Sequence, residues 1–112
     1  MPTARRKTPG PSERSFQQSV LYWARTRGWK VCHFHDSRRQ VRPGQFVGDA
    51  DAAGYPDLTL CRGTRLMFAE LKAETGKVTV TQQEWIDALR LTGVEVHVWK
   101  PSDWPVIEET LR

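Results

Sequence analysis

Two apolar runs, Leu58-Thr59-Leu60-Cys61 and Leu66-Met67-Phe68-Ala69-Glu70-Leu71, flank the turn Arg62-Gly63-Thr64-Arg65, and no other stretch restricts the fold as strongly. A two-residue hairpin loop with Gly first is the type II′ preference, so with Gly63-Thr64 at the tip every cross-strand pair has residue numbers summing to 127. Asp57 and Glu70 satisfy that rule. Opposed residues of an antiparallel ladder project from one face with Cα atoms about 4.5–5.5 Å apart, so this register gathers two carboxylates. Lys72, two residues beyond Glu70, projects from the same face because strand side chains alternate. Such a trio can seat a hard divalent cation beside a phosphate, or it can be a structural ion pair. Phe68, Ala69 and Leu71 place Glu70 in an apolar strand, where a charge requires a partner, and either reading supplies one.

The 112 residues suit one domain, with five Trp and four Phe available for a single core. Seventeen Lys and Arg against 13 Asp and Glu leave a net charge of +4. The excess is uneven: Arg5, Arg6 and Lys7 form one cluster and Arg38, Arg39 and Arg42 another, a distribution suited to a polyanion. Cys32 and Cys61 lie in alternating apolar runs without Cys-x-x-Cys spacing, which predicts buried, reduced thiols and argues against a zinc finger. No apolar run approaches the roughly 18 residues of a membrane helix, so the expectation is a soluble cytoplasmic protein with no membrane partner.

Along the chain, residues 1–11, with three prolines and three consecutive basic residues, read as a flexible basic arm preceding a domain over 12–112. Ser12 is a candidate N-cap for a helix over 13–27, whose stripe of Phe16, Val20, Leu21, Trp23 and Ala24 is apolar and which Gly28 stops. Residues 29–35 alternate as a first strand. A long basic connection, 36–55, follows and reads as a substrate-contacting loop. Strands over 58–61 and 66–71 belong in the sheet centre, since both of their faces carry apolar residues. Thr81-Gln82-Gln83-Glu84 fits a capping box in which Thr81 caps a second helix and Glu84 reaches back, with Gly93 as the stop. Val94, Val96 and Val98 mark a fourth strand, and Ser102 opens a terminal helix with Pro105 in its first turn. The order is α-β-β-β-α-β-α.

A phosphodiester is shielded by its own negative charge, so its hydrolysis needs a cation to neutralise developing charge and a source of hydroxide near neutral pH. On the metal-site reading Asp57 and Glu70 would be ligands. Mg2+ keeps most of its coordination for water and substrate, so two protein carboxylates suffice. Lys72 would orient or activate water, or offset charge on phosphorus, and Pro56 would aim Asp57 by fixing φ where the strand begins.

Gly54-x-Pro56-Asp57-Leu58, the hairpin, Ala69-Glu70-Leu71-Lys72, Gln82 three residues before Trp85, and Val96-x-Val98-Trp99-x-Pro101-x-Asp103-Trp104 together resemble the VRR-NUC (virus-type replication-repair nuclease) branch of the PD-(D/E)xK nuclease superfamily. The resemblance covers about residues 12–105 and is to stand-alone, phage-type members. It implies an α/β fold, a restriction-endonuclease-like αβββαβ core with a central mixed sheet flanked by helices. It implies a Mg2+ or Mn2+ site formed by Asp57, Glu70 and the Leu71 carbonyl, with Lys72 as base or water positioner and no organic cofactor. Glu13 matches a family glutamate on the first helix that faces the metal, and Gln82 matches a glutamine that supports the lysine or touches substrate. The implied activity is a metal-dependent endonuclease on DNA, with branched DNA, including four-way junctions, as leading substrate. A two-fold junction needs paired incisions, so a symmetric homodimer follows as the economical assembly. The alternative is a catalytically idle DNA-binding module of the same fold, and a protein-interaction adaptor is a third reading. The segment 42–53 is longer than in compact relatives.

Other groups have simpler explanations. Glu13 also suits a helix N-terminus, where the dipole favours acids. His33, His35 and Asp36 lack the further ligands of a metal centre. Asp49 and Asp51 fall in the connection and read as solvated. Arg38, Arg39 and Arg42 are assigned to phosphate contacts, since the connection carrying them leads straight into Pro56-Asp57.

Overall fold

The computed structural model describes residues 12–34 and 52–112, together with the backbone of 39–42 and 45–47. Helix α1 (Glu13–Thr26) starts where expected: Ser12 is extended, and its hydroxyl accepts a hydrogen bond from the Ser15 amide at 3.0 Å. Phe16, Val20 and Ala24, at helical spacing, bury one face of it. Strands β1 (Lys30–His33), β2 (Arg39–Arg42), β3 (Gln45–Val47), β4 (Leu58–Arg62) and β5 (Arg65–Leu71) follow. Helix α2 (Val80–Leu91), strand β6 (Glu95–Trp99), a 3-10 turn (Pro101–Asp103) and helix α3 (Trp104–Leu111) complete the chain, with Pro105 in the first turn of α3.

The main sheet has the order β1-β4-β5-β6, antiparallel across the first three strands and parallel between β5 and β6. Helix α2 is the crossover that the parallel pair requires. The β4–β5 register is the one expected, with Leu58 opposite Ala69 and Arg62 opposite Arg65. Gly63 has φ +62 while Thr64 stays at negative φ, as a type II′ turn demands. This α/β arrangement, a mixed four-stranded sheet between helices, is compatible with the restriction-endonuclease-like core.

Each sheet face carries its own core. On one, Leu58, Leu60, Met67, Ala69 and Leu71 pack with Phe16 and Val20 of α1 and with Ile107 and Leu111 of α3. On the other, Phe68 and Val96 pack with Ile86 of α2, joined by Tyr55, Val78 and Leu89. Because β5 is covered on both sides, its last five residues are all buried.

Four expectations need correction. The stretch 36–55 is not wholly a connection, because β2 and β3 pair within it as a separate antiparallel sheet, with a register shift between Gln40 and Arg42. Strand β1 ends at His33, short of 35. Cys32 and Cys61 are exposed: they lie on the α2 side of the sheet but on β1 and β4, whereas the core beneath α2 is built on Phe68 and Val96 of β5 and β6. Finally, α2 begins earlier than expected, with Thr79 as its cap. Residues 1–11, His35, Asp36, Arg38, Asp49 and Asp51, and the side chains of Arg39 and Arg42, lie outside the described residues.

Candidate active site

Strand β4 delivers Asp57 from its leading end. The β1–β4 ladder runs to His33 opposite Leu58, and the Phe34 amide then donates to the Asp57 carbonyl at 2.7 Å. One side-chain oxygen of Asp57, Oδ2, accepts from the Leu71 amide at 2.8 Å. The carboxylate therefore continues the β4–β5 pairing beyond its last backbone rung. Pro56, fully buried, fixes the chain immediately before it.

Glu70 is 1% exposed and is the single buried charged residue among those described. The Asp57 carboxyl and the Asp57 backbone amide both hydrogen-bond to it, and Lys72 Nζ lies 3.6 Å from its Oε2. Burial pushes the Glu70 carboxyl up to about 8. The Asp57 charge adds to the rise, and Lys72 works against it. The cause is plain electrostatics: two carboxylates at hydrogen-bond distance, Glu70 buried and Asp57 half-buried, do not both stay ionised near neutrality unless positive charge comes with them. Lys72 supplies one such charge from a largely buried position, 11% exposed at the side chain.

The strand turn before Asp57 is held by aromatic packing. Tyr55 makes edge contacts with Phe34, Phe68 and Trp85, at centroid distances of 5.4, 6.1 and 4.9 Å. Gly54, at φ +82, lies directly against the backbone of the first turn of α2. The segment after Lys72 is tied down by Glu74, whose carboxylate accepts from the Ser102 amide and hydroxyl at 2.9 and 2.7 Å.

The structure thus brings Asp57, Glu70 and Lys72 together, with the Leu71 peptide bonded to Asp57. It does not join Glu13 to them: that residue is exposed in the first turn of α1 and makes no hydrogen bond or ion pair among the described residues. Gln82 is engaged elsewhere. Its Oε1 accepts from the Thr79 amide at 2.9 Å while its own amide donates to Thr79 Oγ1 at 3.2 Å, so the capping box is Thr79–Gln82 and not Thr81–Glu84. Gly54 and Tyr55 emerge as organisers of the site. The sequence pattern contains Gly54 only as a motif letter and leaves Tyr55 as an open position, although Gly and Pro are each strong local punctuators.

Among the described residues no group of three or more His, Cys, Asp or Glu is arranged to hold a metal ion. Asp57 and Glu70 form a two-carboxylate site, with hard oxygen donors of the kind that suits Mg2+ or Mn2+. Among the described residues, no helix is long and apolar enough to cross a membrane.

Comparison with known families matches the VRR-NUC domain over residues 10–103. No curated protein and no solved structure matches the chain. The matched span takes in α1, the whole four-stranded sheet, α2 and both residues of the acid pair, and the chain belongs to the VRR-NUC domain family, a nuclease family whose substrate is DNA.

Proposed function

We propose that this chain is a Mg2+- or Mn2+-dependent endodeoxyribonuclease that cuts branched DNA, four-way junctions included, as a homodimer acting in phage replication, recombination or repair. The observation that supports the reading best is Glu70. A carboxyl that burial and a neighbouring carboxylate push up to about 8 is held at the cost of its own charge, and replacing its proton by a divalent cation relieves that cost. The donor set therefore fits the cation, with Asp57, Glu70 and the Leu71 carbonyl as its protein ligands.

When bound, the cation supplies positive charge against the phosphoryl oxygens and lowers the pKa of water. The protein's own groups do the rest. The Leu71 amide fixes the Asp57 carboxylate in one orientation. Lys72, 3.6 Å from Glu70, keeps an ammonium at the acid pair, where it orients water or offsets charge developing on phosphorus. Arg38, Arg39 and Arg42 are assigned to the phosphate backbone, contacts that position without reading sequence. Glu13, exposed in the first turn of α1, is assigned on the family resemblance alone, as an outer neighbour that would meet the cation through water. Two protomers would supply the two incisions a symmetric junction needs.

The test is cleavage of fork, flap, four-way junction and linear DNA in EDTA, Mg2+ or Mn2+, beside Asp57→Ala and Lys72→Ala. The expected result is cation-dependent cutting that favours branched substrates and is lost in both variants. Cutting that persists in Asp57→Ala rejects the site, and equal cutting of all four substrates rejects the structural preference. Sedimentation of the protein with junction DNA as a monomer rejects the dimer.

A further inference from the structure

The first turn of α2, which carries the capping box, packs on Gly54, and the contact between the two is backbone against backbone. A Cβ built on Gly54 would stand 2.6 Å from both the carbonyl carbon and oxygen of Thr81 and 2.8 Å from the Gln82 amide nitrogen. Those atoms belong to the helix main chain and cannot swing aside as the end of a long side chain would. From Gly54 the path to Asp57 is three residues long and stiff throughout. Tyr55 is wedged among Phe34, Phe68 and Trp85, and Pro56 is buried with its φ fixed by the ring.

We infer that Thr79 and Gln82 are positioning residues for Asp57: by closing the capping box they hold rigid the first turn of α2 on which Gly54 rests. Gln82 stands at the corner of the arrangement. Its side chain closes the box on the Thr79 amide, its backbone nitrogen is bonded to Thr79 Oγ1, and that nitrogen is one of the atoms facing Gly54. The Gln83 amide, bonded to the Thr79 carbonyl at 2.9 Å, completes the turn. Opening the box leaves first-turn amides without acceptors, and the turn frays where Gly54 needs a firm surface. Gln82 then acts through geometry, with no contact to substrate or to Lys72. The inference rests on the proposal that Asp57 belongs to the active site.

The experiment compares Thr79→Ala, Thr79→Ser, Gln82→Ala and the Thr79→Ala/Gln82→Ala double variant, each assayed well below its own unfolding temperature. Because sub-ångström misplacement at a reacting centre is costly, each alanine variant is expected to lose about tenfold in kcat with KM for DNA nearly unchanged. The double variant is expected to be no worse than either single, since both changes open the same box, and Thr79→Ser, which keeps the hydroxyl acceptor, is expected to retain activity. Hydrogen exchange at the Leu71 amide gives a readout independent of turnover. Its protection depends on Asp57 Oδ2 and should fall in both alanine variants and hold in Thr79→Ser. Wild-type kcat and wild-type Leu71 protection in Thr79→Ala, with activity lost only in Gln82→Ala, overturns the inference and returns Gln82 to direct contact. If Asp57→Ala still cuts DNA, the active-site reading fails instead, and the Leu71 exchange data then judge the positioning relationship alone.

Discussion

Asp57 Oδ2 and the Leu71 amide, 2.8 Å apart, form the last rung of the β4–β5 pairing, made by a side chain where the backbone ladder has already ended at Leu58 and Ala69. The same carboxylate is thus part of the fold and part of the candidate site. Asp57→Asn separates the two roles, because an amide oxygen still accepts from Leu71 while the charge is gone. The variant should unfold near the wild-type temperature by circular dichroism and yet cut DNA about a hundredfold or more slower, the scale seen when one group that stabilises reacting charge is removed.

Glu70 makes stability depend on pH in a direction unusual for a carboxylate. Its folded value, about 8, lies above the ordinary 4.5, so between those limits the folded protein holds a proton that the unfolded chain has released. Stability is fully present below about pH 4.5 and is lost as pH rises through 8. In EDTA, melting temperature should therefore fall across that window, Glu70→Gln should flatten the decline, and Mg2+ or Mn2+ should counter it most strongly at the alkaline end. A wild-type curve flat from pH 5 to 8 in EDTA would contradict the assignment.

The end of α3 is held by the hairpin tip. Arg62 donates to the carbonyls of Arg27, Leu111 and Arg112 at 3.0, 3.3 and 3.0 Å, and its guanidinium lies 4.4 Å from the centroid of Trp29. The Trp29 indole donates to the same Leu111 carbonyl at 2.8 Å. These bonds satisfy carbonyls that a helix C-terminus leaves without partners. Arg62→Ala should cost about 1–3 kcal/mol in chemical denaturation. Glu95→Ala, which breaks the bidentate surface pair with Arg65, should cost less, about 0.2–1 kcal/mol.

If Arg38, Arg39 and Arg42 contact phosphates, replacing them with Ala should weaken DNA binding equally across sequences. The slope of log affinity against log salt should become shallower by about one for each contact removed. Fluorescence anisotropy with labelled junction DNA over a salt series measures both effects. An unchanged slope would remove these arginines from the interface.

Where one strong local rule acts alone, the sequence is informative. Gly63-Thr64 between two apolar runs fixes the register of β4 and β5, and with it the meeting of Asp57, Glu70 and Lys72. The cap of α2 is harder, because two box patterns overlap: Thr79 has Gln82 three residues on, and Thr81 has Glu84. The close approach of Gly54 to the turn at Thr81 and Gln82 is a tertiary contact with no counterpart in local spacing. The exposure of Cys32 and Cys61 fails for a related reason. Alternation places them on a face, but only packing tells that α2 builds its core on β5 and β6. The β2–β3 pair carries few apolar residues to set its period, and its one cue is the Pro43-Gly44 dipeptide between the two strands.

Strands β1 and β4 are neighbours, and the 39–47 ribbon leaves the sheet after one and returns before the other. The ends of that excursion are close together, fixed by the pairing of His33 with Leu58, so the ribbon enters and leaves through a single doorway in the sheet. Residues could be added to it or trimmed from it, or the whole ribbon exchanged, without disturbing the rungs on either side. Evolution, or an engineer, thus has an interchangeable module beside a fixed frame that carries the candidate site.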